Sequence, residues 1–273
     1  MADETALHDF PSLFSLKDKV AVVTGGSRGL GLNAASAFLQ AGASKVFITS
    51  RKAKACDEAV AQLNKLPNLT PGARAISVPA DSATIAGIES LLSQVRQHTA
   101  HVDVLFANAG ATWGEKFDTH PDAAFAKVMD LNVKAVFNTI RLFAPLLQKR
   151  ATVDDPSRVL ITASVAGLGI GSLGQQATFG YSASKAAVIH LGRNLAVELG
   201  PRHITMSGGV EKHAQGNPMK RLGRPEDIAG VVVYLSSRAG AHVNGAAIEI
   251  DGGALWAKGQ LMDAAGDEPS AKL

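Results

Sequence analysis

The sequence has very little cysteine: Cys56 is the only one in 273 residues. A single cysteine excludes an intramolecular disulfide and a CxxC metal site, and it is typical of a protein from a reducing compartment. The sequence also lacks any run of about 18 uncharged apolar residues, and no signal-peptide pattern follows residues 1–5, which include Asp3 and Glu4. We therefore expect an intracellular protein that binds no membrane.

Aromatic residues and an excess of one charge are also missing. Aromatics make up 5% of the chain, the formal net charge is +3, and the lysines and arginines are spread out instead of forming a basic block. This distribution argues against nucleic-acid binding. Glycine is abundant, with 27 residues, which favours a layered α/β protein with many tight turns over a β-sandwich.

Short β-branched runs alternate with segments of helical periodicity along most of the chain. We predict strands over residues 19–24, 45–49, 73–78, 102–107, 159–162, 203–206 and 246–250, and helices over 30–40, 54–66, 85–98, 122–149 and 181–199. Alternating strands and helices imply right-handed βαβ units. The prediction is one doubly wound parallel-sheet (Rossmann) domain over residues 16–256, with a leader at 1–15 and a polar tail at 257–273.

A glycine-rich turn follows the first predicted strand. Its glycines occupy the first, fifth and seventh places of G-x-x-x-G-x-G, at the start of the first predicted helix. A tight turn favours glycine even without a ligand, but in dinucleotide-binding folds the first βα turn holds the pyrophosphate against a helix N-terminus. We assign this role to Gly25, Ser27, Arg28, Gly29, Leu30 and Gly31.

The end of the second predicted strand bears on the choice of nicotinamide cofactor. An acidic residue there accepts hydrogen bonds from a ribose 2′-hydroxyl, whereas this chain has Ser50, Arg51 and Lys52. Arg51 and Arg28 can pair with a 2′-phosphate. The cations could instead belong to a solvated helix start, but cations are unfavourable near a helix N-terminus. We therefore predict NADP(H).

Tyr181 and Lys185 stand four residues apart on one predicted helix, where an ammonium can stabilise a phenolate for acid–base work. Such a pair alone is more often ordinary helix-surface pairing. Other polar residues follow predicted strands: Asn108 to Gly110 come after the fourth strand and Ser164 after the fifth. Both positions are at the carboxyl edge of the sheet, where α/β proteins bind ligands.

Taken together, these motifs resemble the short-chain dehydrogenase/reductase family. TGGSRGLG at 24–31, Asp81, NAG at 108–110, LNV at 131–133, Ser164 and YSASK at 181–185 stand in family order, and the resemblance runs from Leu16 to about Trp256. Residues 108–114, the sixteen residues between Ser164 and Tyr181, and residues 224–227 look most like the NADPH-dependent 3-oxoacyl reductases of rhamnolipid synthesis.

The resemblance implies a role for each residue. Tyr181 would be the proton donor, Lys185 would favour its phenolate form and hold the nicotinamide ribose, and Ser164 would hydrogen-bond the substrate carbonyl. Asn132 would support a water-mediated proton relay through its amide. Asp81 would bind adenine, and Asn108 and Gly110 would line the cofactor cleft beside Tyr181 and Lys185.

The chain departs from the family pattern after Met206. Ile204 to Val210 carries no Pro-Gly pair and leads almost directly to Gly223, so a turn and a helical lid over the substrate are expected to be absent. A natural short form, an incorrect gene model and a dropped segment would each explain this. If the short loop is real, cofactor binding should survive better than catalysis, which leaves a cofactor-binding protein without turnover as the alternative function.

Three further expectations concern substrate, assembly and location. A 3-oxoacyl thioester is preferred as substrate, closely followed by a polyketide-type ketone or a secondary alcohol. Trp113 either lines an acyl pocket or packs on the rim. The apolar residues of 122–149 favour a homo-oligomer, a dimer or tetramer. The C-terminal Ala271, Lys272 and Leu273 match the small–basic–leucine peroxisomal signal, with the cytosol as the alternative.

Overall fold

The computed structural model describes residues 9–210, 218–219 and 221–257. Seven parallel strands form one sheet in the order β3-β2-β1-β4-β5-β6-β7. Their bounds are β1 Val20–Thr24, β2 Lys45–Thr49, β3 Arg74–Ser77, β4 Val104–Ala107, β5 Ser157–Thr162, β6 Ile204–Val210 and β7 Ala246–Glu249. The predicted doubly wound fold class is confirmed.

Helices cover both faces of this sheet. They are α1 Gly29–Gln40, α2 Ala53–Leu63, α3 Ile85–Arg96, α4 Asp122–Met129, α5 Ala135–Gln148, α6 Phe179–Leu199, α7 Pro225–Ser236 and the short α8 Ala254–Ala257. None of the described helices is long and apolar enough to cross a membrane.

Two apolar cores lie on opposite faces of the sheet because successive side chains of each strand point to opposite sides. In β1, Val22 faces the core that contains Phe143, whereas Val23 faces the core that contains Phe38. All four of these side chains are fully buried. Each such side chain stabilises the fold by about 1.5–3 kcal/mol, which fixes the helices that carry the candidate site.

The predicted single helix over 122–149 is wrong in one respect. Residues Asp130–Lys134 form a π-helical turn between α4 and α5. No glycine lies in this turn, and Pro145 interrupts the pattern only near the end of α5. Such single π turns occur often at functional sites, and this one contains Asn132.

Helix α7 was not predicted, although its N-terminal signals are in the sequence. Pro225 is in its first turn, and Asp227 accepts a hydrogen bond of 2.7 Å from the backbone N–H of Arg224. Hydrogen bonds from the Arg221 guanidinium, which also forms an ion pair with Asp227, hold the pKa of that carboxyl well below its usual range. A proline with acidic neighbours at a helix start is a recognised N-terminal signal.

Strand β6 is longer than predicted and changes where the short connection begins. Met206 and Gly208 lie inside the strand, paired with Val159 and Ile161 of β5. The strand continues to Val210. The residues where a lid would follow, 211–217 and 220, lie outside the described residues, as do residues 1–8 of the leader and the tail from 258 onward with its candidate peroxisomal signal.

Candidate active site at the carboxyl edge of the sheet

From β1 the sheet extends in two directions, through β2 and β3 on one side and through β4 to β7 on the other. The loops that follow the adjacent strands β1 and β4 therefore lie beside each other at the point where the strand order changes direction. Doubly wound proteins bind ligands at such a switch point. The Asn108 amide joins the two loops: its Nδ2 donates to the carbonyl oxygens of Thr24 and Gly25, at 3.1 and 3.2 Å. Its Oδ1 accepts a 2.9 Å bond from the hydroxyl of Thr162, the last residue of β5. Asn108 therefore fixes the ends of three strands.

The glycines of the first turn serve two different purposes. A Cβ on Gly31 would lie 2.4 Å from the Gly25 carbonyl oxygen and 2.7 Å from Asn108 Nδ2, so this position tolerates only glycine. Gly29 has φ +55°, and a Cβ there would meet nothing within 4 Å. Gly31 thus allows the turn to pack closely, whereas the space at Gly29 is open and can receive a ligand.

The start of α1 can accept an anion. Arg28 occupies the N-cap position in an extended conformation, and its side chain makes no capping hydrogen bond. The first N–H groups of a helix have no partner within the helix and carry its positive dipole end. With Ser27 and Leu30 half-buried and Gly29 exposed beside them, the predicted loop fits a pyrophosphate.

The residues predicted for the adenosine half lie at neighbouring strand ends. Arg51 and Arg28 are both exposed, and Ser50 is half-buried with its hydroxyl 3.1 Å from the Cys56 sulfur. The Ser50 carbonyl accepts a 3.1 Å bond from Ala80 N–H, which ties the end of β2 to the segment before Asp81. Neither guanidinium forms a salt bridge within the described residues, so both are available for a 2′-phosphate.

Asp81 makes a bond that the sequence did not predict. One carboxylate oxygen accepts a 3.0 Å hydrogen bond from the Ala83 N–H, which closes the turn before α3. The other carboxylate oxygen accepts no hydrogen bond from the described residues. The side chain therefore shapes its own loop and keeps one acceptor that could face an adenine.

Lys185 is buried beside Tyr181. Its ammonium, on a residue 5% exposed, donates a 2.6 Å hydrogen bond to the Thr162 carbonyl and lies 5.5 Å from the centroid of the Tyr181 ring. Burial lowers the pKa of Lys185 to about 8. One of its three N–H donors is used by Thr162, so the others remain for the tyrosine or for a ligand.

Asn132 faces the same small space as Lys185. A Cβ on Gly110 would lie 3.1 Å from Asn132 Oδ1 and 3.7 Å from Lys185 Nζ, so glycine at 110 keeps this space open. Oδ1 accepts a 2.8 Å bond from Ala111 N–H. An amide oxygen has two lone pairs, and the second one is available here.

The amide nitrogen of Asn132 is not available. Nδ2 donates to the Ala111 carbonyl and to the Ser184 hydroxyl, both at 2.9 Å. Both of its N–H groups are therefore used within the protein. The expected water relay through this amide therefore needs correction in one respect: only the oxygen has a free site for water, whereas both N–H groups are occupied.

Ser164 is brought to the lysine by close backbone packing. It caps a 3₁₀ turn over Val165–Gly167, and its hydroxyl oxygen accepts a 3.2 Å bond from Ala166 N–H. That bond uses a lone pair and leaves the hydroxyl hydrogen free to donate. A Cβ on Gly167 would lie 2.5 Å from the Lys185 carbonyl carbon, so glycine lets the turn rest directly on α6.

The structure thus brings all four predicted catalytic residues to one edge of the sheet, and it adds three that the sequence did not single out: Thr162, Gly167 and Ser184. Each is a small residue whose importance depends on a partner far away in the chain. The sequence gives no signal for Thr162 or Gly167, whereas Ser184 lies within the quoted YSASK motif.

Comparison with known proteins supports the same assignment. A family model described as short chain dehydrogenase matches residues 19–210, and one described as Enoyl-(Acyl carrier protein) reductase matches 206–254. The rhamnolipids biosynthesis 3-oxoacyl-(acyl-carrier-protein) reductase of Pseudomonas aeruginosa is 37% identical, with 88% of this chain and 97% of that protein covered. A 3alpha-hydroxysteroid dehydrogenase of Mediterraneibacter gnavus is 31% identical, with coverages of 88% and 98%.

Among solved structures, the Pseudomonas aeruginosa RhlG/NADP active-site complex superposes with a TM-score of 0.82 at 36% identity, covering 89% of this chain and 99% of that one. A short-chain type dehydrogenase/reductase from Mycobacterium marinum superposes with a TM-score of 0.81 at 28% identity, with coverages of 89% and 98%. The fold, the ordered motifs and these similarities agree, and the chain belongs to the short-chain dehydrogenase/reductase family of oxidoreductases.

Proposed function

We propose that this protein is an NADP(H)-dependent ketoreductase that converts the carbonyl of a 3-oxoacyl thioester to a secondary alcohol. The observation that carries the proposal is the buried Lys185 ammonium, which lies 5.5 Å from the Tyr181 ring centroid and is held by Thr162 at 2.6 Å. The Lys185 ammonium, so placed, favours the phenolate form of Tyr181. Among the described residues it forms no salt bridge with a carboxylate, so ion pairing does not account for its burial.

Each side chain has a step suited to its chemistry. The Ser164 hydroxyl donates to the carbonyl oxygen and polarises the carbonyl. Tyr181 transfers its proton to that oxygen as the alcohol forms, and Lys185 stabilises the phenolate left behind. The free lone pair of Asn132 Oδ1, facing Lys185 across Gly110, fits a water that returns a proton to this pair. NADPH, when bound, supplies the hydride that reduces the carbonyl carbon.

The cofactor choice rests on Arg51 and Arg28. Arg28 lies between β1 and α1, Arg51 lies between β2 and α2, and both side chains are exposed. The similar RhlG was solved with NADP. A guanidinium can form paired hydrogen bonds with a 2′-phosphate. Gly25 and the open space at Gly29 would admit the pyrophosphate, and Asp81 and Asn108 border the rest of the cleft.

The substrate class rests on the loops that flank the four residues. Trp113 after β4, and Leu168, Ile170 and Leu173 after β5, are all exposed at this edge. The two loops touch, because Glu115 N–H donates a 3.0 Å bond to the Ala177 carbonyl. An apolar rim beside a carbonyl-reducing site fits an acyl chain, and a relative at 37% identity is named a 3-oxoacyl reductase. A polyketide-type ketone is the next candidate.

A panel of carbonyls followed by NADPH absorbance tests this proposal. Reduction of a 3-oxoacyl thioester in preference to sugars and steroid ketones supports it. NADPH binding in a titration, with no turnover on any carbonyl, would establish the alternative of a cofactor-binding protein. One observation favours that alternative: Ile204–Val210 carries no Pro-Gly pair and leads almost directly to Gly223.

Self-association is proposed from α4, α5 and α6. Of the apolar residues that predicted it, Val128 and Leu146 turn out to be core residues, Val133 and Leu142 are half-buried, and Phe125 and Phe137 stay 39% exposed. Val197 on α6 adds an exposed side chain. The apolar surface is therefore smaller than the sequence suggests, yet still suited to pairing of two copies.

We also propose a peroxisomal destination from Ala271, Lys272 and Leu273. An N-terminal fluorescent fusion should mark peroxisomes, and deletion of these three residues should release it to the cytosol. A diffuse signal from the full chain would contradict this.

A further inference from the structure

Ser184 lies between Tyr181 and Lys185 in the sequence, and the proposed reaction gives it no step. It is 0% exposed. Its hydroxyl donates a 2.7 Å hydrogen bond to the Tyr181 carbonyl and accepts a 2.9 Å bond from Asn132 Nδ2. A serine hydroxyl has a single hydrogen, so both bonds have a fixed direction.

The second bond crosses between two elements. Asn132 belongs to the π turn Asp130–Lys134, whereas Ser184 belongs to α6. A π turn departs from the regular helical hydrogen-bond pattern and needs tertiary contacts to hold it. The Asn132 amide supplies these contacts: it binds Ala111 with its oxygen and one N–H, and Ser184 with the other N–H.

We infer that Ser184 is a positioning residue that aligns the Asn132 amide, and with it the π turn, against the segment of α6 that carries Tyr181 and Lys185. The inference rests on the proposed function for its catalytic consequence, but not for its structural one. Only Ser184 joins the Asn132 side chain to α6 among the hydrogen bonds of the described residues.

The direction of the effect follows from burial. Asn132 is 1% exposed, so without the Ser184 oxygen one of its N–H groups would have neither a protein partner nor water. A buried donor left unpaired is costly, and the amide would rotate or the π turn would shift to regain a partner. Oδ1 would then leave the space in front of Gly110 that Lys185 Nζ shares.

The test compares Ser184→Ala with Ser182→Ala, the same substitution two residues away on a half-buried position with no assigned role. Hydrogen–deuterium exchange should accelerate at residues 130–134 by about tenfold in Ser184→Ala and stay unchanged in Ser182→Ala. Ser184→Cys keeps a weak acceptor and should give an intermediate rate.

Activity adds a second measurement. Ser184→Ala should lower kcat by about tenfold while the Kd for NADPH stays within about twofold. In the background of Asn132→Ala, the Ser184→Ala change should have no further effect on kcat, because Ser184 acts through the amide.

Two results would overturn the inference: unchanged exchange at residues 130–134 in Ser184→Ala, or equal losses of kcat from Ser184→Ala with and without Asn132. Failure of the proposed function looks different. In that case the wild-type chain reduces no carbonyl, and the exchange measurement alone still decides whether Ser184 holds the π turn.

Discussion

Burial of Lys185 without a carboxylate partner should make the stability of the protein depend on pH. Burial lowers the pKa of this lysine to about 8, and its side chain hydrogen-bonds only the neutral Thr162 carbonyl among the described residues. In the unfolded chain a lysine titrates near 10.4. Between roughly pH 8 and 10.4, the unfolded chain therefore binds a proton that the folded protein has released.

The sign of the effect follows from this difference in bound protons. Where the unfolded state binds more protons, the free energy of unfolding rises with pH, by about 1.4 kcal/mol for each pH unit. The gain is complete above the unfolded pKa and is lost as pH falls through the folded one. Over the whole window the deprotonation of Lys185 should raise the free energy of unfolding by about 3 kcal/mol.

Urea unfolding of the cofactor-free protein at several pH values between 7 and 10.5 measures this contribution, with Lys185→Met as the control. The other lysines and tyrosines titrate in both proteins and cancel in the difference. The wild-type curve should rise relative to the variant, mostly above pH 8. Parallel curves would refute the reasoning, because they would show that the ammonium is solvated or paired in the folded state.

Three further predictions concern the cofactor and assembly. NADP(H) should bind at least about tenfold more tightly than NAD(H), and Arg51→Asp should reverse the preference in a titration, since a carboxylate repels the 2′-phosphate and accepts from a 2′-hydroxyl. Gly31→Ala should abolish NADPH binding or folding, because its Cβ would lie 2.4 Å from the Gly25 oxygen. Gly29→Ala should lower the stability measured by thermal unfolding by only about 1 kcal/mol, yet it should weaken NADPH binding. Light scattering at micromolar concentration should show a dimer or larger species, and a monomer would argue against pairing through Phe125 and Phe137.

The strands and most helices were predictable because their signals are local. β2 matches its predicted bounds at Lys45–Thr49, and β4 begins two residues later than predicted. Continuous β-branched runs mark strands that are buried on both faces. Helix α7 has an equally local signal in Pro225 and its acidic neighbours Glu226 and Asp227.

The break between α4 and α5 was not predictable in the same way. DLNVK at 130–134 contains no glycine or proline, and its apolar spacing continues a regular helix. The π turn coincides with the contacts that Asn132 makes to Ala111 and Ser184, which are 21 and 52 residues away in the chain. Such contacts form only after the sheet has brought the segments together. The same reason hides Thr162, whose two partners lie on other elements.

The segment after β6 gives the last prediction, which the strand register makes sharper. Met206 and Gly208 pair with β5, and Gly208 also pairs with Ala247 of β7. An insertion between Met206 and Gly208, the place that the sequence pattern suggests for a missing Pro-Gly lid, would therefore split a central strand. A one-residue shift in a buried strand moves its side chains to the wrong face.

A lid of the family type should therefore be grafted after Val210, where the pairing with Glu249 ends. If the chain as written holds the nicotinamide loosely, this graft should raise kcat far more than it tightens NADPH binding, because positioning of the reacting groups governs the rate while the phosphates govern affinity. The matched graft between Met206 and Gly208 should instead lower the melting temperature. Full turnover by the ungrafted chain would mean that another part of this protein already closes the site.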